Sequence, residues 1–293
     1  MLIKRGVIWA IQPTRYAFSA SSLMGLEMLP LGRRLILELL LDELASAGVT
    51  EAYLLSNASV PSPLLEWDAR DDGEVLGWCL PTRALDGANR IKLHRMSMPG
   101  DSTVGDGLLA VESFLQGEPF LLIEANTVWA SLPGQPAMAA RLVDALEDAG
   151  ADAVIAAQEI TPAEIPIHTV IRSIGGIDSK QSFFVRDLIE HPTPGEEASR
   201  FALAGRYACR PVILDYLKDA PRQHRVDLVA AMRRLAHDRD AVWATRPLHG
   251  EHCFGLSNLL QYARAFLNYA LDDPEIGLAV RDYMEDLIGV RWA

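Results

Sequence analysis

Residues Gly6 to Pro30 read GVIWAIQPTRYAFSASSLMGLEMLP, and the fold turns on how this stretch divides. Val7, Ile8, Trp9, Ala10 and Ile11 form an apolar run of the kind that opens a nucleotide-binding domain. A loop that grips phosphate follows such a strand, and Thr14-Arg15 and Glu27-Met28-Leu29-Pro30 mark its outline. The loop has no glycine between Gly6 and Gly25, no lysine, and a proline at Pro13. Glycine lets backbone approach a phosphate, whereas proline removes an N–H donor and fixes φ.

Outward from this stretch the chain alternates. Strand signals fall at Gly6–Ile11, Glu51–Leu55, Ile91–His94, Phe120–Glu124 and Ala153–Ala157. Helix signals lie between them at Leu31–Ala47, Val104–Leu115 and Pro136–Ala149. Leu35, Leu39, Leu40 and Leu44 recur at helical spacing, and Gly48 stops the first helix. Strands separated by helices of this length predict a parallel sheet with right-handed crossovers. Further strands are expected at His168–Ser173, Gln181–Val185, Phe201–Cys209 and Ala241–Thr245. Helices are expected at Pro211–Leu217, Arg225–His237, Ser257–Leu271 and Pro274–Ile288. The sequence shows no repeat, low-complexity tract or linker.

Charge narrows the partners. Among 293 residues the formal net charge is −12, which argues against nucleic acid and anionic membrane. The longest apolar candidate, Leu35 to Leu41, is cut by Glu38, so no span reaches the roughly 20 residues of a membrane helix. The N-terminus lacks a signal-peptide core, and a cytoplasmic protein is expected. Cys79, Cys209 and Cys253 are too scattered for a disulfide framework and read as buried thiols. Only Lys4, Lys92, Lys180 and Lys218 are lysines, few for a protein that handles triphosphates.

A longer set of segments follows the opening stretch in order: ASAGVTEAYLLSN, QGEPFLLIEANTVW, VRDLIEHPTPGEE, RFALAGRYACRPVILDYL, VDLVAAMRRLA and HCFGLSNLLQYARAFLNYALDDPEIG. In content and order this set resembles the bacterial UTP–glucose-1-phosphate uridylyltransferase (UDP-glucose pyrophosphorylase) family over nearly the whole chain. The resemblance implies an α/β, Rossmann-like nucleotidyltransferase fold of the glycosyltransferase-A type, with a mixed, mostly parallel central sheet flanked by helices. It implies one domain: a nucleotide-binding half (1–160), a sheet extension on the sugar side (161–255) and C-terminal helices (256–293). Family members join UTP and glucose 1-phosphate into UDP-glucose with Mg²⁺, releasing pyrophosphate, and assemble as dimers or tetramers.

That reaction brings two anions together, which requires cations, N–H donors and a carboxylate-held metal. Carried over by motif, the pocket candidates are Gln12, Thr14, Arg15, Glu27, Gly105, Asp106, Glu124, Glu190, Gly205 and Arg206. The family's Ala-Gly-x-Gly-Thr-Arg is here Ala10-Ile11-Gln12-Pro13-Thr14-Arg15, without either glycine. Arg15 remains, while the family's lysines are replaced by Leu26, His191 and Ser257. The two metal aspartates correspond to Asn126, a neutral ligand, and Cys253, a soft thiol ill-suited to Mg²⁺. Asp106 puts a negative charge where a neutral or cationic donor belonged. General replacement of lysine by arginine does not explain this, because no missing lysine became arginine.

The resemblance therefore implies a catalytically degenerate homologue, a regulatory or partner-binding protein with at most weak nucleotide-sugar binding. No cofactor is expected. Its partners would be itself, as dimer or tetramer, or an active paralogue, with UTP or UDP-glucose as candidate ligands. The alternative is an active nucleotidyltransferase with a rebuilt site at Arg15, Glu27, Glu124 and His191, which would need Mg²⁺. A zinc-like cluster at His249, His252 and Cys253 is a further reading.

Overall fold

The computed structural model describes residues 3–11, 25–57, 91–173, 181–193, 195, 199–219 and 226–292. The loop carrying Gln12, Thr14 and Arg15 lies outside the described residues, as does Cys79. In chain order the first elements are β1 (Arg5–Trp9), β2 (Pro30–Leu31), β3 (Arg34–Leu35), α1 (Ile36–Ser46), β4 (Glu51–Asn57) and β5 (Lys92–Met98). Then come α2 (Val104–Ala110), α3 (Glu112–Leu115), β6 (Phe120–Glu124), β7 (Thr127–Ala130), α4 (Met138–Asp148), β8 (Ala153–Glu159), β9 (Thr169–Ser173) and β10 (Ser182–Glu190). The chain closes with β11 (Phe201–Cys209), α5 (Val212–Lys218), α6 (Leu228–Arg239), β12 (Val242–Thr245), β13 (His252–Gly255), α7 (Leu259–Leu271) and α8 (Gly277–Trp292).

Nine strands form the main sheet in the order β5-β4-β1-β6-β11-β8-β12-β10-β9. The apolar run of β1 lies between β4 and β6, parallel to both. Successive side chains of a strand face opposite layers. Ile8 thus joins α1 and α4 through Leu37, Leu40, Leu44, Leu142 and Leu146, whereas Val7 and Trp9 join the other layer through Leu108, Leu115, Leu217 and Leu235. The sheet is mixed, as expected, but parallel pairing is confined to the β5-β4-β1-β6 block and to β8–β12. β11 runs antiparallel to both β6 and β8.

Three boundaries differ from the sequence reading. The first helix starts at Ile36, not Leu31, because Pro30–Leu31 pairs with Arg34–Leu35 in a short hairpin. Arg33 at its tip is tied to Asp273 at 2.7 Å and Glu275 at 2.5 Å, beside the start of α8. The expected helix Val104–Leu115 divides at Val111. A separate two-stranded antiparallel sheet, β7 with β13, was not expected: it places Cys253 opposite Trp129 and Gly255 opposite Thr127. Short strands with mixed burial carry too little alternation to declare themselves. Among the described residues no helix is long and apolar enough to cross a membrane.

Candidate functional site

Ligands of open α/β sheets bind at the carboxyl ends of the parallel strands. Here β6 ends at Glu124, and a two-residue turn carrying Asn126 leads into β7. The Glu124 carboxylate accepts a hydrogen bond from the Tyr207 hydroxyl at 2.7 Å. The Asn126 side chain and the Arg206 charge lie close enough to favour its ionised form. Burial nevertheless raises the Glu124 carboxyl above its ordinary range, against the pull of these three groups. The Tyr207 phenol is raised well above its usual value by burial and then by the Glu124 charge. Asn126 Oδ1 is sealed from solvent with no donor, while its backbone carbonyl accepts from Leu256 N–H at 2.7 Å.

β11 supplies Tyr207 through a local irregularity. Gly205 has φ +65°, and the β11–β8 register shifts between Leu203 and Tyr207. A Cβ on Gly205 would lie 2.5 Å from Thr127 Oγ1, so only glycine admits this approach to the turn. Arg206, a pocket candidate by sequence, is 1% exposed and holds Glu43 of α1 with Nε at 2.9 Å. Its guanidinium also donates to the carbonyls of Glu124, Thr127 and Gly205. It fastens the turn from behind, a structural role rather than a ligand-facing one.

Leu26 and Glu27 begin the short 3₁₀ turn ahead of α1, and both are buried at 2% exposure. Leu26, which the resemblance sets against a family lysine, is packed in the hydrophobic core. Burial lifts Glu27 from 4.5 to about 7, opposed by its own backbone N–H and by Arg95. Glu27 Oε2 and Arg95 Nη2 are both buried without partners, and Arg95 Nε donates to Ser56 Oγ at 2.9 Å.

At α2 the structure corrects the charge argument. The Asp106 carboxylate accepts from the Thr103 backbone N–H and hydroxyl, each at 2.9 Å, in a capping box that starts the helix. Its charge serves the helix N-terminus. A Cβ on Gly105 would lie 2.5 Å from the Val226 carbonyl, so packing accounts for that glycine.

The remaining positions are scattered. Glu190 ends β10 against β9, and the adjoining His191 is exposed, with φ +46° and Nδ1 3.3 Å from the Pro166 carbonyl. Its amide N–H donates to the His168 carbonyl, a contact on the rim of the sheet. Ser257 precedes Asn258, the N-cap of α7. Cys253 packs against the core, where burial pushes its thiol up to about 12. Its charged neighbours are Arg206, Glu43 and Glu251. His252, the adjacent strand residue, is exposed. Among the described residues no three His, Cys, Asp or Glu side chains are grouped to hold a metal, which overturns the zinc-like reading of His249, His252 and Cys253.

Nor do the positions that the resemblance assigns to the metal suit Mg²⁺, a hard cation held by oxygen ligands and usually at least one carboxylate. Asn126 is neutral, the Cys253 thiol resists ionisation, and the Glu124 carboxylate is engaged by Tyr207. The sequence reading did not single out Tyr207, although Gly205-Arg206-Tyr207 had carried part of the resemblance. Alternation along β11 is the signal: if Arg206 faces the core, Tyr207 faces the opposite layer.

No family model matches the chain. It is 24% identical over 272 residues to UTP–glucose-1-phosphate uridylyltransferase YngB of Bacillus subtilis (strain 168), covering 89% of this chain and 88% of that protein. It is 24% identical over 298 residues to a UTP–glucose-1-phosphate uridylyltransferase of Staphylococcus epidermidis, covering 97% and 98%. Its fold matches UTP-bound UGPase from Acinetobacter baumannii with a TM-score of 0.81 at 20% identity, over 97% of this chain and 99% of that one. A UDP-glucose pyrophosphorylase complexed with UDP-glucose gives a TM-score of 0.74 at 18% identity, over 91% and 98%. The architecture is the nucleotidyltransferase fold.

Proposed function

We propose that the chain, 24% identical to UTP–glucose-1-phosphate uridylyltransferases over most of its length, is a divergent and catalytically degenerate member of that family acting through binding. In this reading it is a regulatory or partner-binding protein with at most weak affinity for a nucleotide sugar. One observation carries it: the turn where the resemblance places a metal aspartate holds the neutral Asn126, and the neighbouring Glu124 carboxylate is already engaged by Tyr207. Leu26 supports it, because the position of a phosphate-binding lysine is now core. Removing one preorganised charge or donor costs about 3–4 kcal/mol, and each 1.4 kcal/mol is about tenfold in rate. Several such losses in one site take the transfer below detection, even though they do not simply add. The partner would be a second copy or an active paralogue, in the cytoplasm.

The test is pyrophosphate release from UTP and glucose 1-phosphate with Mg²⁺, using the purified protein. The reading expects no release above background. Turnover in the ordinary enzymatic range of about 1–10³ s⁻¹ overturns it.

A second reading is favoured by the two carboxyls raised by burial, Glu27 and Glu124, since perturbed carboxyls gather at working sites. It is the active nucleotidyltransferase with a rebuilt site, using Arg15 and His191 as cations and Mg²⁺ as cofactor. Under it, Glu27→Gln and Glu124→Gln each abolish a measurable basal activity.

A further inference from the structure

Between α4 and the strands β12 and β10 lies a cavity of about 410 Å³, inside the range of about 300–1,000 Å³ usual for small-molecule sites. It shares no residue with the β6–β7 turn. One wall is the half-buried ring of Trp243, which Phe184 meets edge-on with ring centroids 6.1 Å apart. Another is α4, where Ala145 and Ala149 leave room and Asp144 and Asp148 stand one turn apart. Both aspartates are exposed, and neither carboxylate has an ion-pair or hydrogen-bond partner among the described residues. Like charges four residues apart on a helix repel, and Asp148 closes α4 at the end where the helix dipole is negative. The pair therefore presents negative charge that nothing in the fold answers. Arg141, 8% exposed, also lines the cavity. It is ion-paired with Glu251 and donates to the Arg246 carbonyl at 2.8 Å, while its Nε has no partner. The remaining polar groups are spent: Gln181 Nε2 donates to the Arg246 carbonyl at 2.6 Å, and the Ser182 and Thr245 hydroxyls bond to each other at 3.0 Å.

We propose that this cavity is a separate ligand site for a small amine that also carries hydroxyl groups, of the amino-sugar class. An ammonium group matches the charge of Asp144 and Asp148, and hydroxyls donate to the same carboxylates. A hydroxyl oxygen accepts from the guanidinium of Arg141, and the apolar face of a sugar ring covers Trp243. Other chemistries match only part of this lining. A phosphate or nucleotide meets two unpaired carboxylates, and the one arginine is already neutralised by Glu251. A metal ion lacks ligands, since among the described residues no three His, Cys, Asp or Glu side chains are grouped. A neutral sugar leaves the charge of the aspartates unmatched, and a simple amine offers Arg141 no acceptor. The site stands apart from the degenerate reading, because none of its residues falls at a position that the resemblance assigns to catalysis.

Calorimetry on the full chain with glucosamine, glucose and cyclohexylamine tests the proposal. Glucosamine is expected to bind, with glucose and cyclohexylamine each weaker by about tenfold, the effect of losing one charge-assisted hydrogen bond. The double variant Asp144→Asn with Asp148→Asn is expected to bring glucosamine down to the affinity of glucose without lowering the melting temperature. Trp243→Ala is expected to weaken both sugars together. Saturating UDP-glucose is expected to leave the glucosamine affinity unchanged. Absence of glucosamine binding, glucose or cyclohexylamine binding as tightly as glucosamine, an unaltered glucosamine affinity in the double variant, or displacement by UDP-glucose overturns the proposal. The ligand comparison uses the unaltered protein and decides the matter even if Trp243→Ala fails to fold. None of these outcomes bears on pyrophosphate release, so the proposal and the degenerate reading fail separately.

Discussion

Arg206 on β11 reaches Glu43 on α1 with Nε 3.0 and 2.9 Å from the two carboxylate oxygens. The same guanidinium donates to Thr127 Oγ1 at 2.9 Å and to the Glu124 carbonyl at 3.1 Å. One buried arginine therefore joins the first helix, the central sheet and the turn that carries Asn126.

Removing one partner of such a pair leaves an uncompensated buried charge, whereas removing both leaves apolar packing. Glu43→Ala should therefore destabilise the protein by about 3–5 kcal/mol. The double variant Glu43→Leu with Arg206→Met should recover only the part owed to the unpaired charge, because the Glu124, Thr127 and Gly205 carbonyls then lose their Arg206 donor. Urea unfolding of the single and double variants checks both.

Glu27 predicts a pH dependence of stability. Its folded value, about 7, lies above its ordinary 4.5, so the native state holds a proton that the unfolded state releases. The stabilisation is fully present below about pH 4.5 and is lost as pH rises through 7. The full swing is about 3 kcal/mol, at about 1.36 kcal/mol for each tenfold difference in proton affinity. Glu27→Gln should remove this component and leave the protein more stable than its parent at pH 8. Unfolding free energies of both proteins across pH 4–8 give the difference directly.

Leu26→Lys restores the family's residue but not its environment. The position is 2% exposed and packed in the core, so an ammonium there loses its hydration. A loss of several kcal/mol is expected, with no gain of UTP affinity. Thermal melting alongside calorimetry with UTP reads both outcomes.

Two residues of α2 separate packing from binding. A Cβ on Gly107 would lie 2.5 Å from Trp9 Cζ3 and 2.8 Å from Leu55 Cδ1. Gly107→Ala should cost about 1–3 kcal/mol through overpacking. Asp106→Ala removes the capping carboxylate and should cost about 0.5–2 kcal/mol. Both should lower the melting temperature and leave the Kd for UDP-glucose unchanged.

Much of the fold was legible in residue order. The apolar run after Gly6 became a buried central strand, and the leucine spacing around Leu40 became a core-facing helix. The β7–β13 pairing was not legible, because its two strands are four residues each and lie more than a hundred residues apart. The candidate site was legible as a set of substitutions, not as a set of contacts. Asp106 read as misplaced charge and proved to be a helix cap, and Arg206 read as a pocket cation and proved to be the partner of Glu43.

By itself the sequence determined the alternation of strands and helices and the likeness to uridylyltransferases. Those properties depend on residue type and on neighbours a few positions away. Only the tertiary structure decided which remaining polar groups are spent on the fold and which still await a partner. Partners are set by long-range approach: Glu43 and Arg206, like Glu124 and Tyr207, are distant in the chain and meet only when the sheet closes. Among the described residues, those left buried without a partner include single atoms of Glu27, Asp42, Arg95, Asn126 and Arg141.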